Sequence, residues 1–166
     1  MQVSTETDPR ELTDRLVADA FPGGRGFAAW LAFLRAHAGL MRRLTADLAE
    51  ETGLTLGDFD VLAQLVNAGG ELRMTELAAR AFSSRSNMTR RVDRLVTEGI
   101  VCRRADDADA RGVVVALTER GLARFAETAP VHLRGIAELF AAKLDDEELA
   151  VLERALGKVC PEASFG

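Results

Sequence analysis

The chain has 166 residues, about the length of one domain, and 48% of them are hydrophobic, which is enough for a buried core. Its formal net charge of −5 excludes a uniformly basic nucleic-acid-binding protein, although one local surface can still be basic. No apolar run reaches the roughly 18 residues of a membrane span, and the first residues lack the order of a signal peptide. We therefore expect a cytoplasmic protein with no membrane partner.

The two cysteines, Cys102 and Cys160, lie far apart and in no metal-binding spacing. This spacing argues against a disulfide framework and against a structural zinc site. The chain has only two histidines, which is too few for a zinc-sensing cluster. We expect free thiols, no metal and no cofactor.

Residues 1–52 are predicted to contain two helices. Residues 11–21 have the pattern of a short amphipathic helix, which the glycine-rich residues 22–26 end. A seam of residues then recurs at alternating steps of three and four, and His37 is its only interruption. This pattern is typical of a long helix that packs on another helix. The seam consists of Phe27, Trp30, Leu34, His37, Met41, Leu44 and Leu48.

Three shorter helices are predicted next. Thr55, with Asp58 three residues later, predicts the cap of a helix that ends at the glycine pair 69–70. Thr75 is expected to cap a short second helix. The third helix is expected over residues 85–98.

The helix over 85–98 is predicted to have two distinct faces. Ser84 is a good N-cap, and Gly99 is placed to end the helix in the left-handed conformation. Met88, Val92 and Leu95 form an apolar stripe that we expect to be buried. The opposite face is polar and consists of Ser86, Asn87, Thr89, Arg90 and Arg94.

After Gly99 the pattern changes from helical to extended. Residues 100–104 and 111–118 are rich in β-branched side chains and are joined by a short polar loop, which predicts a hairpin. Thr118 is expected to cap a further helix, with a kink near Pro130. A capping box that begins at Asp145 predicts the last helix.

This order of elements is that of a winged helix-turn-helix. In such a module a short helix braces a second helix that enters the major groove of duplex DNA, and the hairpin forms the wing. Charge follows the same pattern: six arginines in residues 83–104 face only two acidic residues, which leaves +4 there and −9 in the remainder of the chain. A basic surface on an acidic body attracts and orients phosphates.

The segment over 72–121 resembles the DNA-binding lobe of MarR-type transcription regulators. Its matching motifs are a Leu-x-x-x-Gly helix end, an arginine pair, an Asp-x-Arg wing and a Leu-Thr-x-x-Gly segment. They lie at Leu95–Gly99, Arg103 with Arg104, Asp109–Arg111 and Leu117–Gly121. The flanking helices extend the resemblance to about residues 27–160.

The predicted fold class is mainly α with a small β-hairpin wing, built as a winged helix-turn-helix plus a helical dimerisation lobe. We predict an N-terminal extension over 1–24 with a short helix, and a dimerisation lobe formed by 25–52 and 119–160. The winged helix-turn-helix lobe is predicted over 55–118. The resemblance implies a homodimer on a pseudo-palindromic site, with half-sites about 34 Å apart. Long seam-bearing helices at both chain ends also need a partner surface.

The expected DNA contacts fall into three groups. Short polar side chains and one arginine at the start of the polar-faced helix are candidates for base edges: Ser84, Ser86, Asn87, Thr89 and Arg90. Arg91 and Arg94 are expected to clamp phosphates or to form intramolecular salt bridges. Arg103 and Arg104 are included as the matched arginine pair. The resemblance implies that Arg111 reaches the minor groove and that Asp109 holds it there. The neighbouring Asp106 and Asp107 are interpreted as turn formers.

The resemblance also implies a pocket for a small aromatic or phenolic acid between the dimer helices and the DNA-binding lobe. Its candidate lining is Trp30, Phe33, His37, Phe59 and His132, for which ordinary core packing is the alternative. Asp60, Arg91 and Arg103 match positions that urate-responsive members use, but the tryptophan those members carry in an extra N-terminal helix is missing. A peroxide-sensing role is disfavoured because the chain has no tyrosine. An oxidation switch at Cys102 is a further alternative.

Two other function classes stay open at this point. One is a winged-helix module whose polar face, residues 83–95, binds an acidic protein partner instead of DNA. The weaker one is a small enzyme, since the sequence has no glycine-rich phosphate loop, metal-ligand cluster or nucleophile with a base partner. The favoured hypothesis is a sequence-specific DNA-binding repressor released by a small molecule.

Overall fold

The computed structural model describes residues 8–81, 85–106 and 112–160. Seven α-helices and three strands lie in this part of the chain, and residues 1–42 and 43–166 form two compact units. No described helix is both long and apolar enough to span a membrane. The helices are α1 (Pro9–Ala20), α2 (Arg25–Thr52), α3 (Leu56–Asn67), α4 (Met74–Arg80), α5 (Arg85–Thr97), α6 (Glu119–Leu139) and α7 (Asp146–Val159). The strands are β1 (Glu71–Arg73), β2 (Val101–Ala105) and β3 (Val113–Leu117).

The first unit contains α1 and most of α2. The carboxylate of Asp8 accepts a hydrogen bond of 2.9 Å from the backbone of Arg10, which caps α1. On α2 the predicted apolar seam is largely exposed within one chain, because Trp30 and Phe33 keep 51% and 43% of their surface. His37 is likewise exposed. The first half of the seam is therefore largely exposed among the described residues.

The second unit contains the core, which is formed by side chains from all three strands and from α3, α4 and α5. Leu44 and Leu48, the last two members of the α2 seam, are also buried here. The core cluster consists of Leu54, Val61, Leu62, Leu65, Leu72, Leu77, Met88, Val92, Leu95, Ile100, Val101 and Val115. Several elements thus converge on the apolar stripe of α5.

Three of the predicted helix starts, those of α3, α6 and α7, are confirmed by their hydrogen bonds, and one is wrong. Thr55 and Asp58 form a reciprocal capping box at α3, and Asp145 forms one with Glu148 at α7. Helix α4 starts two residues earlier than an N-cap at Thr75 predicts, because its N-cap is Arg73, whose backbone donates to the carboxylate of Glu76.

The sheet contains one strand more than the predicted hairpin. Strands β2 and β3 pair antiparallel as expected, and β1 pairs with the other edge of β3, which gives the order β1-β3-β2. Strand β1 is only three residues long, so its alternation is too short to be seen in the sequence. It ties the start of α4 to the base of the wing.

The turns around the hairpin follow the predicted local chemistry. Gly99 ends α5 with φ of +69°, which the absence of a Cβ allows. The hydroxyl of Thr118 accepts from the backbone of Gly121 at 3.0 Å and so caps α6, as expected. Helix α6 runs through Pro130 as one element, and the kink expected there stays a prediction.

Helices α3 and α6 meet through a group of three rings. The rings of Phe59 and Phe125 are nearly parallel with centroids 5.6 Å apart, and the ring of His132 lies 4.6 Å from Phe59. Burial lowers the pKa of His132 below its ordinary value of 6.5, and the nearby carboxylate of Asp60 opposes this shift. The imidazole is therefore held in its neutral form near neutral pH.

The lowered pKa of His132 predicts that the stability of the fold depends on pH. Because the folded protein binds the His132 proton less tightly than the unfolded chain does, the free energy of unfolding falls as the pH drops below 6.5. Replacing His132 with Gln removes this contribution, so the variant should lose less stability between pH 7.5 and pH 5.5. Urea unfolding of both proteins across this range measures the difference, and equal losses would contradict the assignment.

Candidate nucleic-acid interface

Helix α5 separates an apolar face from a polar one, as its sequence predicts. Met88, Val92 and Leu95 are at most 1% exposed, so the helix is anchored along one side. The predicted contact residues Ser86, Asn87, Thr89 and Arg90 are all exposed on the other side. Ser84, Asp109 and Arg111 lie outside the described residues.

The arginines of this surface are largely engaged in ion pairs. Arg91 and Arg94 both contact the buried carboxylate of Asp58 on α3, with Nη1 of Arg91 at 3.6 Å from Oδ1. We expected these arginines either to clamp phosphates or to form intramolecular salt bridges, and in the structure they form salt bridges. Sequence reasoning identified Asp58 only as part of a cap, because 36 residues separate it from Arg94.

The wing is tied to the rest of the lobe by further ion pairs. Arg103 of β2 pairs with Asp93 of α5, and its guanidinium donates to the Thr89 carbonyl at 3.4 Å. Arg104 pairs with Glu71 of β1. These bridges fix the start of the hairpin against α5 and β1.

Asp106, at the end of β2, forms a similar link to the neighbouring strand. Its carboxylate lies 2.6 Å from Nε of Arg73 on β1, and its backbone donates to the Gly112 carbonyl at 3.1 Å. Asp106 was expected to form a turn, and the structure adds an ion pair to that role. This acidic side chain is neutralised within the lobe, so it repels phosphate less than its sequence position suggests.

Arg90 differs from the other arginines of this surface whose side chains are described. Within the described residues it has no carboxylate partner, and its Nη2 donates to the neutral Oδ1 of Asn87 at 2.5 Å. The sequence count of +4 over residues 83–104 also changes in space. Asp58 and Glu71 add two negative charges from elsewhere in the chain, so the local charge falls to +2. The positive charge of Arg90 is not paired with either of these carboxylates.

A cleft of about 450 Å³ lies between the start of α3 and the polar face of α5. The guanidinium of Arg91 lies so close to Gly57 that a Cβ there would come within 1.7 Å of it. Glycine at this position therefore leaves room for the arginine to reach Asp58. The cleft is lined by Thr45, Thr55, Leu56, Gly57, Asn87, Arg90, Arg91 and Arg94.

The residues predicted to line a ligand pocket lie in two groups. Phe59, Asp60 and His132 belong to the second unit, where Phe59 is 6% exposed and packs as a core residue. In the first unit the rings of Trp30, Phe33 and His37 follow one another along α2, with centroid distances of 6.0 and 6.2 Å. Phe125 belongs to the first group but was not predicted.

The three residues that match urate-responsive members have separate partners. Asp60 accepts a hydrogen bond of 3.3 Å from Gln64, while Arg91 and Arg103 are held by Asp58 and Asp93. Each of the three residues thus has a partner outside this set. Both cysteines are unpaired and exposed, and no group of three possible metal ligands occurs among the described residues.

Comparisons with known proteins agree with this geometry. Residues 52–112 match the sequence model of the MarR family. The HTH-type transcriptional repressor YetL of Bacillus subtilis (strain 168) is 33% identical over 106 residues, which are 63% of this chain and 63% of the repressor. The chain thus aligns with less than two thirds of that relative's length.

Two solved structures from Streptomyces coelicolor share the fold. AbsC, a MarR family transcriptional regulator, superposes with a TM-score of 0.76 at 29% identity, over 81% of this chain and 91% of AbsC. Sco3205, a MarR family regulator crystallised in complex with DNA, has a TM-score of 0.76 at 27% identity, over 84% and 88% of the two chains. The buried stripe of α5, the hairpin and these likenesses agree, and the chain is similar to the MarR family of winged helix-turn-helix transcription regulators in both sequence and fold.

Proposed function

We propose that this protein is a homodimeric repressor that binds a pseudo-palindromic operator in duplex DNA and is released by a small aromatic acid. The observation that carries the DNA-binding part is the polar face of α5, which is exposed opposite a fully buried stripe. Such a helix can enter the major groove without losing its own packing. The DNA complex of the similar Sco3205 and the name of the similar repressor YetL support the same function.

In this proposal the residues of α5 divide the work of recognition. Ser86, Asn87 and Thr89 offer short polar side chains to base edges, and Arg90 pairs with a guanine. Arg103 and Arg104 lie in β2 at the start of the wing, and we assign them to the backbone phosphates. Ser84 at the helix start and Arg111 with Asp109 in the wing complete the proposed contacts by resemblance to the family.

The role of Arg90 is tested by substitution with Ala. Because a guanidinium can bind both acceptors of a guanine edge, we expect a loss of about 1 to 3 kcal/mol on the preferred duplex and a relaxed preference at one base pair. The preferred duplex is first obtained by selection from a random pool, and affinities are measured by fluorescence anisotropy.

Arg154→Ala on α7 is the matched control, since it removes the same charge from an exposed position far from α5 along the chain. It should leave the base preference unchanged. Equal loss of affinity for every duplex sequence in the Arg90 variant would rule out base reading. If the unaltered protein selects no duplex at all, the DNA-binding function itself is wrong.

The homodimer is supported by apolar side chains left exposed on the terminal helices. A single chain leaves 62% of Leu133 and 77% of Val159 uncovered, and a soluble protein usually covers such surface. Helices from a second copy would bury it, as symmetric oligomers do. The exposed apolar residues on α2, α6 and α7 are Trp30, Phe33, Leu34, Leu122, Leu133, Val151, Leu156 and Val159.

Substitution of Leu133 by Glu is expected to produce a monomer, because a charge would then be buried without a partner at the interface. Sedimentation velocity measures the change in mass. Val113→Glu, at a residue of the wing strand that is 41% exposed, introduces the same charge and should leave the dimer intact. A Leu133 variant with the mass of the unaltered dimer would contradict this interface.

The ligand part of the proposal is supported by His132. Its Nδ1 is buried without a hydrogen-bond partner among the described residues, although buried polar atoms are nearly always paired. The ring packs on Phe59, so a flat acid with a hydroxyl or carboxyl group could satisfy the nitrogen while contacting an aromatic surface.

Monohydroxybenzoic acids are the probes for this site. We expect at least one of them to weaken operator binding, on the order of 5- to 150-fold, which is the usual range of coupling between two sites. His132→Phe keeps an aromatic ring beside Phe59 and should abolish the response while leaving DNA binding intact. A response that persists in this variant would place the ligand elsewhere, and no response to any of these acids would remove this ligand class.

A further inference from the structure

The two carboxylate oxygens of Asp58 have different partners. Oδ2 accepts hydrogen bonds from the backbone nitrogen and the hydroxyl of Thr55, at 3.3 and 2.5 Å, and so closes the first turn of α3. Oδ1 pairs with Arg94 and lies 3.6 Å from Nη1 of Arg91. One side chain thus caps α3 and also binds two arginines of α5.

Asp58 is buried, whereas its partners Arg91 and Arg94 are partly exposed, and this difference favours the ion pairs. Asp58 is 3% exposed, whereas the side chains of Arg91 and Arg94 are 27% and 49% exposed. A buried carboxylate has no water to replace its partners, so losing them is costly. The half-exposed guanidinium groups have the reach and the charge to bind a phosphate if the carboxylate releases them.

The position of Gly57 supports the same interpretation. The guanidinium of Arg91 occupies the space where any other residue would place its Cβ. Gly57 therefore accommodates the guanidinium of Arg91 beside Asp58.

We propose that Asp58 is a positioning residue that sets the sequence specificity of DNA binding by keeping Arg91 and Arg94 from phosphate. This inference rests on the DNA-binding function proposed above. Phosphate contacts strengthen binding to every duplex alike, whereas base contacts separate one sequence from another. With two arginines engaged by Asp58, the choice of sequence falls to Arg90 and its polar neighbours.

Asp58→Asn tests the proposal, since the amide keeps the size of the side chain and an acceptor for the cap. The affinity of the unaltered protein and the variant is measured for random-sequence duplex and for the selected duplex, over a range of salt concentrations. The slope of log K against log[salt] on random duplex should become steeper by about 0.9 for each arginine released. The ratio of selected to random affinity should fall.

Glu148→Gln is the matched control. Glu148 holds the same position in the capping box of α7, where its carboxylate accepts from the backbone of Asp145 at 3.0 Å, and no arginine whose side chain is described pairs with it. The change removes one negative charge and weakens one cap, as Asp58→Asn does. Its salt slope and affinity ratio should match those of the unaltered protein.

A second substitution separates released arginines from a loosened fold. Arg94→Gln alone should leave the salt slope nearly unchanged, because Arg94 is already neutralised. In the double variant with Asp58→Asn it should reverse much of the steeper slope. If Asp58→Asn fails to fold by circular dichroism, the single Arg94 variant decides: a slope shallower by about 0.9 would show that Arg94 binds phosphate and would overturn the proposal.

The outcomes distinguish this inference from the function on which it rests. If the unaltered protein binds no duplex, both are overturned. If it binds with sequence preference but Asp58→Asn changes neither the slope nor the ratio, only the role of Asp58 is wrong. A steeper slope and a lower ratio that Arg94→Gln reverses would establish it.

Discussion

The burial of one side of α5 is the constraint on which the rest of the lobe depends. Met88, Val92 and Leu95 lie in the same core cluster as Leu62 and Leu65 of α3 and as residues of all three strands. At about 25 cal/mol per Å² of apolar surface, this burial is the main favourable term that holds the helix in place. Because one face is fixed in this way, the opposite polar face has a defined direction.

Ion pairs lower the positive charge of the polar face that α5 exposes to solvent. A count along the sequence finds a strongly basic segment, but carboxylates from α3 and β1 approach it in space and pair with three of its arginines. Exposed ion pairs of this kind contribute little to stability, whereas the buried oxygen of Asp58 constrains both helices that it contacts. The surface therefore combines a modest positive charge with exposed polar side chains.

The helices α2, α6 and α7 differ from α5 in how much of their apolar surface is buried. Their amphipathic pattern is as regular as that of α5, yet much of the apolar face of α2, α6 and α7 stays exposed in one chain. Where α6 packs on α3, the neutral imidazole of His132 and the ring of Phe59 replace aliphatic packing. This contact connects α3 of the helix-turn-helix lobe with α6, which also carries exposed apolar side chains.

The family comparisons bear out the fold class expected from the sequence, because the signals that predict it are local. Thr55, Gly99, Thr118 and Asp145 act through neighbours within a few residues, and the period of the apolar residues identifies each amphipathic helix. The missed strand β1 lies at the limit of this approach, since three residues form a strand only when β3 is beside them.

The sequence alone therefore determined the order and most of the boundaries of the helices and of the hairpin strands, and which face of α5 is apolar. Only the tertiary structure decided which arginine meets which carboxylate. Arg94 and Asp58 are 36 residues apart, as are Arg91 and Thr55. Such pairs form because two helices pack around a shared core. A local sequence pattern cannot predict a contact between residues that lie so far apart in the chain.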